Sequence, residues 1–283
     1  METILAHLTT KCLPPEIKFK HSDFVFGDIP EYANICIQRC REQLSCEPIV
    51  ITDEIVRSDL SEQVLEFFNL CKRGFPSFYD DPFWFLTLLR LFVVCEYAKQ
   101  HNKQRFLHLE YDNLIYMQST VFEQLPENCY FTKVGPGCGS AGIMYCNDIL
   151  SLERVINGVK SLLKRGQNVI KEYTSYDFLS EMILIDLLVK GNKADYLPLL
   201  PSDKYFNLTE CVFDGASYGQ YIGGTNNGHE PGWYGLNHYI GTLLHSRQIQ
   251  IKFDNKKPTA TYNNCTSNIF NLHIHSKKLN LYV

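Results

Sequence analysis

Over the first two-thirds of the chain, short apolar runs alternate with longer stretches whose apolar positions recur every three or four residues. DFVFGDIPEYANICIQRCREQL reads as a short strand at Phe24–Phe26, a turn at Gly27 and Asp28, and a helix that starts near Pro30 and runs to about Leu44. PIVITDE (48–54) is a second strand, ending in Asp53. Together they predict a β-α-β unit, whose crossover favours a parallel sheet with ligands at the carboxyl ends of the strands. SDLSEQVLEFFNLCKR predicts a helix stopped by Gly74, and DPFWFLTLLRLFVVCEYAKQ (81–100) a long helix with Pro82 at its start. RFLHLEYDNLIY (105–116) returns to strand, and CYFTKV (129–134) adds another. LERVINGVKSLLKRG and YDFLSEMILIDLLVKG read as helices, each closed by a glycine. Turn formers then take over in FDGASYGQYIGGTNNGHEPGW (213–233), before a last strand-like run, IFNLHIHSKKL (269–279). This order predicts an α/β fold.

Composition narrows the class without naming a function. Apolar residues make up 45% and charged residues 20%, which is ordinary for a globular chain and excludes wholesale disorder. A net charge of −4 gives no basic footprint for nucleic acid. The 11 cysteines are scattered, with Cys36 and Cys40 the tightest pair and no C-x-x-C, so mostly buried thiols in a reducing compartment are expected. METILAHLTTKCLPPEIKFK lacks a basic start followed by a long apolar stretch, so no signal peptide is expected. No apolar run reaches the about 20 residues needed to cross a bilayer. The expectation is a soluble cytoplasmic protein in which the N-x-T matches at Asn207 and Asn264 are incidental.

Two clusters carry candidate chemistry. In an extended segment His108, Glu110 and Asp112 share one face, while Leu107 and Leu109 take the other. Paired carboxylates at the carboxyl end of a strand suit a hard divalent cation such as Mg²⁺ or Mn²⁺; the plainer reading is a solvated strand end where Asn113 turns the chain. Near the C-terminus, NLHIHSKK puts His273 and His275 on one face and Leu272 and Ile274 on the other. Two such histidines can converge on one ion, or simply face solvent. Lys277 follows within reach of a phosphate. Residues 137–142 fit a literal G-x-G-x-x-G, yet they precede the apolar run IMYC rather than a helix, and a Walker loop is excluded by the missing Lys-Ser/Thr. A tight loop, or small residues that let a ligand approach, are the two readings. Asp53 suits a ribose, a base or a helix cap. Trp84 and Trp233 can stack on sugar faces, although Trp84 falls on a long helix and suits the core. Cys138 has no histidine-linked pairing that the sequence shows.

The order of these parts resembles a glycosyltransferase of the GT-A type: strand, turn and helix, a strand ending in Asp53, a helix carrying Arg90, then H-L-E-Y-D-N and a late H-x-H-S-K. The resemblance covers roughly residues 22–279 in order of elements. It implies a mixed, mainly parallel sheet flanked by helices, in a single domain of residues 1–283 with elaborated C-terminal loops. About 22–134 would form the nucleotide-sugar half, and about 135–283 the acceptor half with the metal-contacting tail. Glu110-Tyr111-Asp112 matches the metal-binding D-x-D element, with Glu in its first place, so Asp112 is the safer ligand and Glu110 faces the ribose or stands behind the ligands. His275 or His273 matches a late metal ligand, Lys277 a phosphate contact, and Arg90 an arginine on the preceding helix. The resemblance thus implies a metal-dependent hexosyl- or pentosyltransferase using Mn²⁺ or Mg²⁺, a UDP- or GDP-linked sugar donor and a glycan or glycoconjugate acceptor. Asp214 and Glu181 are the candidate general bases; Glu181 also suits a structural ion pair and Asp214 a turn cap. The rivals are a nucleotidyltransferase acting on sugar phosphates, disfavoured by the acidic loop GDIPEY, a cupin-like metal enzyme, disfavoured by the helices, and a non-catalytic carbohydrate binder.

Overall fold

Strand β1 (Glu2–Ala6) lies one strand in from the edge of the main sheet in the computed structural model, which describes residues 1–17, 19, 29–75, 82–168, 180–235, 239–254 and 256–283. The strand expected at Phe24–Phe26 and the turn at Gly27 and Asp28 lie outside the described residues. The opening β-α-β unit is instead made by β1, helix α1 (Ala33–Leu44) and β2 (Ile49–Ile51). Helices α2 (Asp53–Asp59), α3 (Ser61–Gly74) and α4 (Pro82–Gln100) follow. Pro82 starts α4, where a missing N–H costs nothing, and apolar residues all round the helix bury it.

Strand β3 (Phe106–Leu109) is shorter than the expected 105–116: the chain turns, and β4 (Asn113–Ile115) leaves in a different sheet. Strands β5 (Cys129–Gly135) and β6 (Cys138–Cys146) form a hairpin. Pro136 and Gly137, the latter at φ +74°, make its turn, so the glycine-rich segment is mostly strand and not a loop. Helices α5 (Ile149–Arg165) and α6 (Glu181–Lys190) then pack on β5 and β6; residues 176–179 of the expected second helix lie outside the described residues. Short β7 (Asp195–Tyr196), α7 (Phe206–Thr209) and β8 (Cys211–Val212) lead to α8 (Ser217–Gly223) and α9 (Tyr239–His245). Strands β9 (Ile249–Asp254), β10 (Lys257–Tyr262), β11 (Cys265–Ile269) and β12 (Asn271–His273) close the fold.

The six-stranded sheet runs β2-β1-β3-β6-β5-β7. β1 pairs in parallel with β2 and β3, β6 is antiparallel to β3 and β5, and β7 is parallel to β5, so the sheet is mixed. Both faces are buried. Ile4, Phe106 and Met144 face the core built by α2 to α6, while Leu5, Leu107, Leu109 and Tyr145 face a second core with α1, α8 and α9. That is why ETILA reads as a plain apolar run with no amphipathic alternation. In place of the elaborated loops expected at the C-terminus stands a four-stranded sheet, β8-β11-β10-β9, plus the β4–β12 pair. The whole is one α/β domain with helices flanking a mixed sheet. Among the described residues no helix is long and apolar enough to cross a membrane.

Candidate metal centre

Glu110, Tyr111 and Asp112 form a turn and not the far end of a strand. The Asn113 N–H donates to the Glu110 carbonyl at 3.1 Å, and the Glu110 N–H donates to the Gly142 carbonyl at 2.8 Å. The expected common face of His108, Glu110 and Asp112 is therefore broken after the histidine. His108 is fully buried on the α4 side, with Nδ1 donating to the Ile4 carbonyl at 3.0 Å. Burial, helped by the Arg90 charge, lowers its pKa to about 3 against the opposing charge of Glu110, so it is neutral, and it is not one of the Asp112, His273 and His275 group.

Strand register brings in the tail. β12 runs antiparallel to β4 with His273 opposite Asn113, and the Ile274 N–H donates to the Asp112 carbonyl at 2.8 Å. Leu272 and Ile274 are fully buried, so alternation turns His273 and His275 the other way, although β12 itself ends at His273. A turn closed by the Lys277 N–H on the Ile274 carbonyl comes next, at 3.0 Å. Lys277 sits at φ +63°, a conformation that favours glycine or asparagine. There its ammonium pairs with Asp112, 165 residues away in sequence.

His273 Nε2 lies 3.0 Å from Asp112 Oδ1 and 3.0 Å from Glu110 Oε2. Both are ion pairs when the imidazole carries its proton. The His273 and His275 rings stand 4.5 Å apart at 69°. One ligand atom each from Asp112, His273 and His275 falls within 4.8 Å of the others. Arg90 pairs with Glu110 from α4. Burial pushes the Asp112 carboxyl up, but His273 and Lys277 reverse this and hold it well below the usual range. Burial pushes Glu110 up too, and Arg90 with His273 brings it below the usual range. Burial lowers His273, yet the two carboxylates outweigh it and raise the imidazole to about 10. His275 is lowered to about 3 by burial and by the neighbouring His273 charge, which leaves it neutral.

Two glycines that carry no signal of their own in the sequence make this packing possible. A Cβ on Gly142 in β6 would stand 2.7 Å from His273 Cε1 and 3.1 Å from Glu110 Oε2. A Cβ on Gly219 in α8 would collide with the His273 carbonyl. The nearest hint is the small-residue run GSAG. Gly142→Ala should displace the buried His273 ring; if the cluster holds Mn²⁺, its affinity should fall by about 10- to 100-fold, as losses of supporting groups around a metal commonly do. Calorimetric titration with Mn²⁺ checks this; unchanged affinity would show that His273 is not a ligand.

The other candidate residues take different places. Asp214 is fully buried behind the histidine strand. Its Oδ1 accepts from the N–H groups of Ala216, Ser217 and Tyr218, and its Oδ2 from those of Gly219 and His273, all within 2.7–2.9 Å. Burial pushes its pKa up against those bonds. Glu181, buried at the start of α6, accepts from Thr87 Oγ1 at 2.9 Å. Burial raises its pKa, and the Arg90 charge opposes the rise. Arg90 is thus the charged neighbour of both Glu181 and Glu110. Asp53 starts α2 and accepts from Thr9 N–H at 2.8 Å and Thr9 O–H at 2.5 Å, which ties the loop after β1 to β2. Trp84 packs against the α-helical core, and Trp233 stacks on His229 at 4.3 Å. The basic-rimmed groove between α5 and α6, lined by Arg154, Gly158, Leu188 and Lys190, shares no residue with the cluster. The structure therefore brings Arg90, Glu110, Asp112, His273, His275 and Lys277 together, with Glu181 behind Arg90, and leaves Asp53 tied to Thr9. No protein-family model and no curated protein sequence matches the chain.

Proposed function

We propose that this chain is a metal-dependent glycosyltransferase that moves a sugar from a UDP- or GDP-linked donor to a hydroxyl of a glycan or glycoconjugate. The observation that carries the reading is the convergence of Asp112, His273 and His275, one ligand atom of each lying within 4.8 Å of the others and His273 Nε2 lying 3.0 Å from Asp112 Oδ1. Neighbouring donors on an octahedral ion at about 2.1 Å lie about 3.0 Å from each other. One carboxylate and two imidazoles fit Mn²⁺ better than Mg²⁺, which prefers an all-oxygen shell. Asp112, His273 and His275 would hold the ion, and when bound it would offset the charge that develops on a diphosphate leaving group.

The chain's own residues have separate tasks in this reading. Arg90 fixes Glu110, so that carboxylate stays turned toward His273. Lys277 has three N–H donors; Asp112 takes one, and the part-exposed ammonium keeps the others for phosphate oxygens. The position of the cluster, just past the carboxyl end of β3 and beside parallel β1, is where α/β sheets take ligands. Titration with a panel of UDP-, GDP- and CMP-sugars, with and without Mn²⁺, tests the proposal. Metal-dependent binding of one nucleotide class is the expected result; no binding to any of them in either condition would end it.

A further inference from the structure

α8 is tied to the histidine strand by the Asp214 anchor and by the close approach at Gly219, so the next residue, Gln220, is delivered to the tail. One end of its amide lies 2.6 Å from His275 Nδ1. The other end is buried with no hydrogen-bond partner among the described residues, in a residue only 7% exposed. Turning the amide over exchanges its two ends and still leaves one of them unpaired.

Two hydroxyls nearby share that condition. Ser276 Oγ, next to His275, and Thr225 Oγ1, just past the end of α8, are both buried without partners among the described residues. Ser276 lies against Gly223, the last residue of α8, at 3.3 Å from where a Cβ would stand. The chain after α8 folds back on itself: the Thr225 N–H donates to the His229 carbonyl at 2.9 Å, and the Gly232 N–H to the Tyr221 carbonyl at 2.6 Å. This fold-back carries the stacked His229–Trp233 pair, whose rings are parallel to within 5°.

Buried polar ends are nearly always satisfied, and each one left open calls for a ligand or a water. Here Gln220 touches His275, Ser276 follows His275 in the chain and lies against Gly223 at the end of α8, and Thr225 comes two residues past that end. An amide and two hydroxyls are neutral groups that each donate and accept, which suits alcohols rather than phosphate. We propose that Gln220, Thr225 and Ser276 form a subsite for a neutral sugar ring, binding its hydroxyls directly beside His275. The location rests on the transferase reading; the sugar-binding itself does not require it.

The test uses Ser276→Ala and Thr225→Val in the full chain, with wild type as reference. Because neither hydroxyl is bonded within the described residues, removing it should leave thermal stability unchanged or slightly raised. Saturation-transfer NMR against free methyl glycosides of glucose, galactose, mannose, xylose and N-acetylglucosamine, with Mn²⁺ present, reads the binding. The expected result is saturation of at least one glycoside by wild type, weakened several-fold in both variants at unchanged melting temperature. Loss of stability in both variants would mean that the hydroxyls hold structural water only, and would overturn the subsite. So would glycoside binding that neither variant alters, or no glycoside binding at all. Glycoside binding without any response to nucleotide-sugars would uphold the subsite and remove the transferase reading. Turnover of a nucleotide-sugar unaffected by either variant would do the reverse.

Discussion

Asp214→Asn should destabilise the fold by about 3–5 kcal/mol and abolish metal binding with it. The five N–H donors around the carboxylate more than fill its roughly four acceptor positions. An asparagine keeps one oxygen, so its NH₂ must face either the three donors of Ala216, Ser217 and Tyr218 or the two of Gly219 and His273. Each buried donor left without an acceptor costs about 1–3 kcal/mol, and the opposed N–H groups repel as well. Ala216 adds to the demand: it holds φ +100°, a strained conformation for a residue with a Cβ, and its N–H is one of those bonded to Asp214. Urea unfolding measures the effect as a fall in midpoint. A general base would behave otherwise. It must keep a lone pair open to substrate, and its amide variant would fold normally while losing turnover. Asp214→Asn with wild-type stability and no activity would restore it to the reaction; a loss of stability leaves it as the anchor between α8 and β12.

Much of the architecture is legible in the sequence because local signals agree with the tertiary outcome. Pro82 and Gly166 mark helix ends that are found where expected, and the Leu272/Ile274 alternation correctly turns the two histidines away from the core. The misses have physical causes. β1 lies between two parallel strands and is buried on both faces, so it shows neither alternation nor turn residues at its ends. The E-x-D segment reads as extended because period-two placement is the only rule that a short apolar run offers. The Asn113 turn depends on hydrogen bonds to Gly142 in a strand thirty residues on, which no local pattern contains. The site is legible in its residue types and not in its assembly. That Asp112 meets His273 comes from β4–β12 register, and that His273 fits beside Glu110 comes from the absence of a side chain at Gly142. Asp214 is conspicuous for its chemistry, but its five backbone partners are brought together only by folding.

If the proposed ion is bound, Asp112→Asn should separate it from the fold. In wild type, Mn²⁺ at about 100 times its dissociation constant should stabilise the chain by about 2.7 kcal/mol. For a protein of this length that is a rise of about 4–5 °C in melting temperature. The variant should show no rise, and nucleotide-sugar turnover should fall below detection. Its fold should survive, because the two cations that face Asp112 have somewhere to go. Lys277 is about one-third exposed and can turn to water. His273, raised to about 10 by the two carboxylates, can shed its proton once one of them is gone. Glu110→Gln is the informative companion. Arg90 would lose its ion pair with Glu110 and keep Glu181 as a charged neighbour, while Asp112, His273 and His275 would all remain, so the Mn²⁺ shift should shrink without vanishing. An equal Mn²⁺ response in wild type and in Asp112→Asn would place the ion elsewhere, and the 3.0 Å contacts of His273 would then be those of a buried imidazolium between two carboxylates. A response lost in Asp112→Asn and only reduced in Glu110→Gln would make the aspartate the ligand and the glutamate its neighbour, an order that the E-x-D spacing alone cannot establish.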